Sequence, residues 1–155
     1  MEMLPAGAKA PVFRLEDLSG REQTLPAALS RGPALVVLFK ISCPVCQLAM
    51  PYVERISKGS LQVIAISQDD ASATARFQRT FDINVPTLLD REEQGYPVSN
   101  GFGISQVPAL FLVEPDGLIS MSVSGFVKRD LAALGTRAGV QTFRPGEEVP
   151  EWKAG

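Results

Sequence analysis

The sequence predicts an α/β fold in which a central β-sheet of mixed direction is flanked by helices. Three observations predict it. The apolar runs at residues 33–39 and 61–67 are nearly continuous and rich in β-branched residues, the pattern of strands covered on both faces. Each is followed by a stretch with helical spacing, which makes strand–helix–strand units and parallel pairing. A further apolar run, 108–113, meets the turn Glu114-Pro115-Asp116-Gly117 and returns through 118–123 as an antiparallel hairpin.

In chain order, residues 13–29 read as a short strand, a turn at Ser19-Gly20 and a polar stretch leading to Leu25-Pro26-Ala27-Ala28-Leu29. After the strand at 33–39, Leu48, Tyr52 and Ile56 fall four apart in a helix over 47–58 that ends at Gly59. Following the strand at 61–67, Asp69 or Asp70 caps a helix from Ala71 to Phe81, with Ala73, Phe77 and Phe81 on one face. Residues 86–90 form a short strand, and a polar loop runs to about Gly103. A last helix runs from Arg129 to about Ala138. The expected organisation is one domain over 1–141 and a polar, flexible tail over 142–155.

The 155-residue length suits one domain, and 45% hydrophobic with 21% charged residues argues against wholesale disorder. A net charge of −2 offers no basic field for nucleic acid. No apolar run approaches the roughly 18–20 residues of a membrane span. The start, Met1-Glu2-Met3-Leu4-Pro5, has neither the basic region nor the apolar stretch of a secretory signal. The expected compartment is therefore the cytoplasm, or the periplasm where a leader or anchor has been removed.

The chain has no histidine and two cysteines. Without histidine, Ser-His-Asp and Cys-His catalysis and His-ligated metal are excluded. The cysteines lie in Cys43-Pro44-Val45-Cys46, after a buried strand and at the opening of a helix. The first helical turn offers unpaired N–H groups and the positive end of the dipole, and both favour a thiolate. Such settings lower a cysteine pKa from about 8.5 to roughly 3.5–7.5. Cys43 takes the exposed helix start and Cys46 lies about one turn deeper on the same face. One thiol then attacks a partner's disulfide and the other resolves the mixed disulfide. A half zinc site lacks further Cys or His ligands within the chain. A structural bridge over so short a loop stabilises by only about 2 kcal/mol. Two inert buried thiols are the remaining alternative, and redox chemistry is preferred to all three.

The motifs also carry a family resemblance. Ala10-Pro11-Val12-Phe13-Arg14-Leu15-Glu16-Asp17 with Gly20, the strand from Leu35 to Phe39, and the C-P-V-C come first. Ile64-Ala65-Ile66-Ser67-Gln68-Asp69, Val85-Pro86-Thr87-Leu88-Leu89-Asp90 and Val107-Pro108-Ala109-Leu110-Phe111-Leu112-Val113 with Asp116-Gly117 follow in order. From about Ala10 to Ala138 the chain resembles the redoxin branch of the thioredoxin fold, which holds the AhpC/TSA family and the TlpA/ResA-like thiol-disulfide oxidoreductases. The resemblance implies a thioredoxin-like fold with Cys43 as nucleophile and Cys46 as resolving thiol. It implies that Pro108 is a cis-proline facing the cysteines, and that Val107 and Pro108 shape the substrate groove. Pro51 matches a proline of the helix that follows the cysteines, where it kinks the helix unless the helix ends near Ala49. Substrates are then protein or small-molecule disulfides and thiols, with peroxides as a further class, and a dithiol donor supplies electrons. No metal or organic cofactor is implied.

Two departures stand out. Ser42 takes the place of the usual Trp, and Val37 that of the buried acid, which leaves Lys40 as a candidate electrostatic helper. A second reading, peroxidase activity, comes from the peroxiredoxin pattern P-x-x-x-T-x-x-C. It puts Cys46 at the peroxide-attacking position, Cys43 in place of Thr and Phe39 in place of Pro, with Arg129 near the peroxide-orienting arginine. A third is a non-enzymatic redox-sensing or binding module that docks through Phe143, Pro145, Pro150 and Trp152. The acidic pairs Asp69-Asp70 and Glu92-Glu93 read as helix-capping and solvated-loop residues.

Overall fold

Every residue of the strand Ala34–Phe39 is buried, so the apolar run after Pro33 lies in the middle of a sheet. The computed structural model describes residues 2–155. Its elements are β1 (Arg14–Glu16), β2 (Glu22–Thr24), α1 (Leu25–Leu29), β3 (Ala34–Phe39), α2 (Pro44–Ser57), β4 (Gln62–Ser67) and α3 (Ala71–Phe81). There follow β5 (Thr87–Leu89), α4 (Pro97–Phe102), β6 (Ala109–Val113), β7 (Ile119–Ser124), β8 (Phe126–Val127), α5 (Lys128–Ala138) and β9 (Trp152–Lys153). Five strands form the central sheet in the order β5-β4-β3-β6-β7. β3, β4 and β5 are parallel neighbours, whereas β6 runs antiparallel to both β3 and β7. The mixed direction follows from the connections: helices cross between the parallel strands, and a tight turn joins β6 to β7.

Period-two alternation divides the core into two layers. Leu35, Val37 and Phe39 of β3 cluster with Met50 and Val53 of α2, Phe77 of α3 and Leu131 and Leu134 of α5. Val36 and Leu38 belong to the opposite cluster, with Leu25, Val98, Phe102 and Phe111. The helix after β3 begins at Pro44 and continues through Pro51 to Ser57 rather than ending near Ala49. Asp70 caps α3, its carboxylate accepting from the Ala73 N–H at 2.8 Å. Among the described residues, no helix is long and apolar enough to cross a membrane.

The stretch expected as a polar loop up to Gly103 contains a helix, α4. Its signal is weak because its cap comes from a distant residue. The fully buried Asp90 carboxylate accepts from Val98 N at 3.0 Å, Ser99 N at 2.7 Å and Ser99 Oγ at 2.6 Å. Pro97 fits the first turn, and Gly103 ends the helix with a φ of +73°.

Residues 142–155 also depart from expectation, because the segment lies against the domain. Thr142 is buried and its hydroxyl donates to Leu131 O at 2.8 Å. Phe143 packs on Tyr52 and Phe126, with ring centroids 4.8 and 6.3 Å apart. Arg55 donates to Thr142 O at 2.9 Å and to the two Glu147 carboxylate oxygens at 2.7 and 2.6 Å. Trp152–Lys153 then pairs antiparallel with β8. A mostly polar composition conceals this docking, which rests on one aromatic ring, one bidentate ion pair, the buried Thr142 hydroxyl and a two-residue strand.

Arg55, and then the Arg144 backbone N–H, hold the Glu147 carboxyl down from an ordinary 4.5 to about 2. A depressed carboxyl stabilises the folded state above its unfolded pKa, and that stabilisation is lost as pH falls through the folded value. The tail is therefore expected to loosen as pH falls from about 4.5 to about 2. The anisotropy of Trp152, the only tryptophan, reads this loosening. Glu147→Gln should loosen the tail at neutral pH and flatten the acid response; an unchanged acid transition in that variant contradicts the anchor.

Candidate active site

Cys43 is the N-cap of α2, with φ −84° and ψ 117°. Its Sγ accepts from the Cys46 N–H at 3.3 Å, which satisfies one of the unpaired donors of the first turn. That bond becomes charge-assisted when the sulfur is a thiolate. Cys43 is half-buried, and its S–H reaches the Val107 carbonyl oxygen at 3.4 Å. The Val107–Pro108 peptide is cis.

Cys46 lies one turn deeper and is 0% exposed. Burial pushes its thiol well above the ordinary value. The Lys40 backbone N–H pulls the other way, while Cys43 and then Asp69 add to the rise. The pair is therefore asymmetric: one sulfur faces a cleft and the other is a buried, protonated thiol.

The cleft is about 440 Å³ and is lined by Cys43, Lys40, Val107, Gln68, Ser99 and Gly155 among others. A larger cavity of about 760 Å³ lies beside Gln23, Lys58, Gln62 and Thr87 and contains neither cysteine. One of its two acids, Glu54, serves the fold. Oε1 accepts from Asn84 N at 2.6 Å and Val85 N at 3.1 Å, and Oε2 pairs with Lys58 at 2.9 Å. Of the residues singled out from the sequence, Cys43, Lys40 and Val107 line the smaller cleft, Cys46 is buried one helical turn from Cys43, and Pro108 follows Val107 through the cis peptide. Arg129 does not line the cleft. Its side chain is 87% exposed at the start of α5, with Nε 3.7 Å from Asp130.

Sequence reasoning missed four contributors, Asp69, Gln47, Gln68 and Tyr96. Asp69 does not cap α3; its Oδ2 accepts from Ile41 N at 2.8 Å, while Gln47 Nε2 donates to Ile41 O at 2.9 Å. Together they fix the loop that presents Cys43. Asp69 follows β4, the parallel neighbour of β3, at the carboxyl end of the sheet where α/β proteins gather their sites. That position was the available signal. Gln68 Nε2 donates to Ser99 Oγ at 2.9 Å and links the cleft to the Asp90 network. Tyr96, also lining the cleft, holds a left-handed φ of +51°, a strained conformation for a bulky residue.

Asp69→Asn removes a negative charge but keeps an oxygen for the Ile41 N–H. The Cys46 pKa should fall, so the resolving step should reach half its maximal rate at lower pH than in the wild type. Thiol release from a preformed Cys43 mixed disulfide, followed against pH, measures this. A profile unmoved or shifted to higher pH contradicts the assignment.

The chain is similar to the thiol-disulfide oxidoreductase ResA of Geobacillus thermodenitrificans. The two are 26% identical over 129 residues, covering 80% of this chain and 72% of that protein. Its structure is similar to the thioredoxin domain of a thiol-disulfide oxidoreductase from Bacteroides vulgatus, with a TM-score of 0.75 and 19% identity over 86% of this chain and 97% of the other. A secreted disulfide oxidoreductase of Mycobacterium tuberculosis matches with a TM-score of 0.66 and 18% identity, over 81% and 95% of the two chains. The fold is thus thioredoxin-like, as the motif order implied. The AhpC/TSA family model matches residues 6–122, and with the C-P-V-C pair set at the start of α2 within that span, the chain belongs to the AhpC/TSA family.

Proposed function

We propose that this chain is a thiol-disulfide oxidoreductase in which Cys43 attacks and Cys46 resolves. The observation that carries it is the asymmetry of the pair: Cys43 lines the cleft beside Val107, whereas Cys46 is fully buried. The Cys43 thiolate attacks one sulfur of a disulfide R–S–S–R′. A Cys43–S–S–R bond forms and R′–S⁻ leaves, taking up a proton. Cys46 then gives up its proton and attacks the Cys43 sulfur, forming the Cys43–Cys46 disulfide and releasing R–S⁻, which is protonated in turn. Two electrons pass to the substrate, and a dithiol protein or small thiol returns them.

The order of steps has a physical basis. Forming the mixed disulfide removes negative charge from Cys43, one of the influences that keep Cys46 protonated. Val107 lines the cleft and is joined to Pro108 by the cis peptide, and Lys40 supplies positive charge at the cleft. We assign no role to Arg129, whose side chain lies in solvent. Peroxide attack by Cys46 is disfavoured by the same burial, because the attacking species must be a thiolate that peroxide reaches. We read residues 1–141 as one redox domain, with 142–155 folded onto it. Cytoplasm and periplasm are both proposed compartments, since the exchange chemistry runs in either, and fractionation of cells expressing the protein assigns one.

The test measures consumption of hydrogen peroxide and reduction of insulin disulfides in parallel. Insulin reduction is expected, with peroxide consumed only slowly. Fast peroxide consumption without insulin reduction favours the peroxidase, and inactivity in both assays favours a sensing or binding module.

A further inference from the structure

We propose that residues 151–155 are a built-in strand occupying the edge of the groove where an extended polypeptide substrate lies, so that they set the substrate class of the site. The inference rests on the dithiol-exchange function and adds to it a choice between small and polypeptide disulfides.

The placement follows from the backbone. Glu151 O accepts from Lys128 N at 3.0 Å, and Trp152 and Lys153 pair with Val127 and Phe126. The chain then runs over Gly125, whose N–H donates to Pro108 O at 2.8 Å. A Cβ on Gly125 would stand 3.1 Å from Gly155 N and 3.4 Å from Ala154 Cα. A Cβ on Gly155 would stand 2.9 Å from the Val107 carbonyl carbon and 3.5 Å from Gln106 Cβ. Two glycines thus permit a close approach of backbones, ending against the carbonyl group that Cys43 also touches.

A polypeptide that offers a disulfide sulfur to Cys43 must lay its backbone along the cleft wall formed by Ser105, Gln106 and Val107. Strand addition to such an edge draws its affinity from main-chain contacts. Gly155 already stands there, carried by residues 151–154 that run along Lys128, Val127, Phe126 and Gly125. A small disulfide needs only the roughly 440 Å³ mouth at Cys43, whereas a polypeptide must displace the strand. When the binding-competent state is populated about one-tenth of the time, apparent affinity weakens about tenfold.

The test uses full-length chains with insulin as the polypeptide disulfide and oxidised glutathione as the small one. In a two-residue antiparallel ladder one pair carries the mutual bonds, so Trp152→Pro/Lys153→Pro together remove the donor in either register. Both residues are exposed and outside the two core clusters, so the domain keeps its fold. The double variant is expected to raise kcat/KM for insulin about tenfold and to leave that for oxidised glutathione within about twofold. Phe143→Ala, which loosens the same segment from its anchor, moves the insulin rate the same way by a smaller factor. An unchanged insulin rate in the double variant, or a parallel rise on both substrates, overturns the proposal. A wild type inactive on both disulfides overturns the exchange chemistry itself, and the proposal falls with it.

Discussion

Cys43→Ser is expected to lower disulfide turnover on the order of a thousandfold or more, because a serine hydroxyl does not replace a thiolate as nucleophile. The loss should be purely chemical. Serine is a favoured N-cap and keeps an acceptor for the Cys46 N–H, so α2 holds its start and thermal stability stays near that of the wild type. Cys46→Ser behaves differently. It leaves the attacking sulfur in place and removes the resolving one, so the mixed disulfide on Cys43 accumulates and is visible as added mass on the intact protein. Cys46 is fully buried, and a hydroxyl there without a partner costs about 1–3 kcal/mol. Cys46→Ala avoids that penalty and should trap the same adduct. Sustained peroxide consumption by Cys43→Ser would instead assign the chemistry to Cys46.

Asp90→Ala is expected to give the largest loss of stability, about 3 kcal/mol, or roughly 6–12 °C in Tm for a chain of this size. Three donors converge on this one buried carboxylate, and alanine leaves Val98 N and Ser99 N inside the protein without an acceptor. The consequence reaches the cleft, because Ser99 also receives the Gln68 side chain. Asp90→Asn keeps one acceptor oxygen and should lose less. Thermal unfolding measures both variants; a loss below about 1 kcal/mol for alanine would show that α4 holds its position by other contacts.

The legible parts of this protein were those whose cause is local. β3 announced itself as an unbroken apolar run, the β6–β7 hairpin by Glu114-Pro115-Asp116-Gly117 between two apolar stretches, and the thiol pair by its spacing after a buried strand. The parts that escaped are held by partners far along the chain. Polar residues around Pro97 hid α4 because its capping acid sits back at the end of β5. Asp69 read as a second helix cap beside Asp70, yet its acceptor role faces Ile41, on the loop after β3. The tail's composition suggested flexibility, and only the three-dimensional neighbourhood of Tyr52, Arg55 and Phe126 reveals what Phe143 and Glu147 meet. Arg129 rested on a loose regional correspondence with the peroxiredoxin arginine, and such a correspondence carries no information about which way a residue on the first turn of α5 points.

Selective alkylation tests the division of labour between the two thiols most directly. The reduced full-length chain is treated with limiting iodoacetamide near neutral pH, and modified peptides are quantified by mass spectrometry. A cleft-facing Cys43 and a buried, protonated Cys46 predict modification of Cys43 at least about tenfold faster than of Cys46. Equal rates, or faster modification of Cys46, would contradict the assignment of Cys43 as the attacking sulfur.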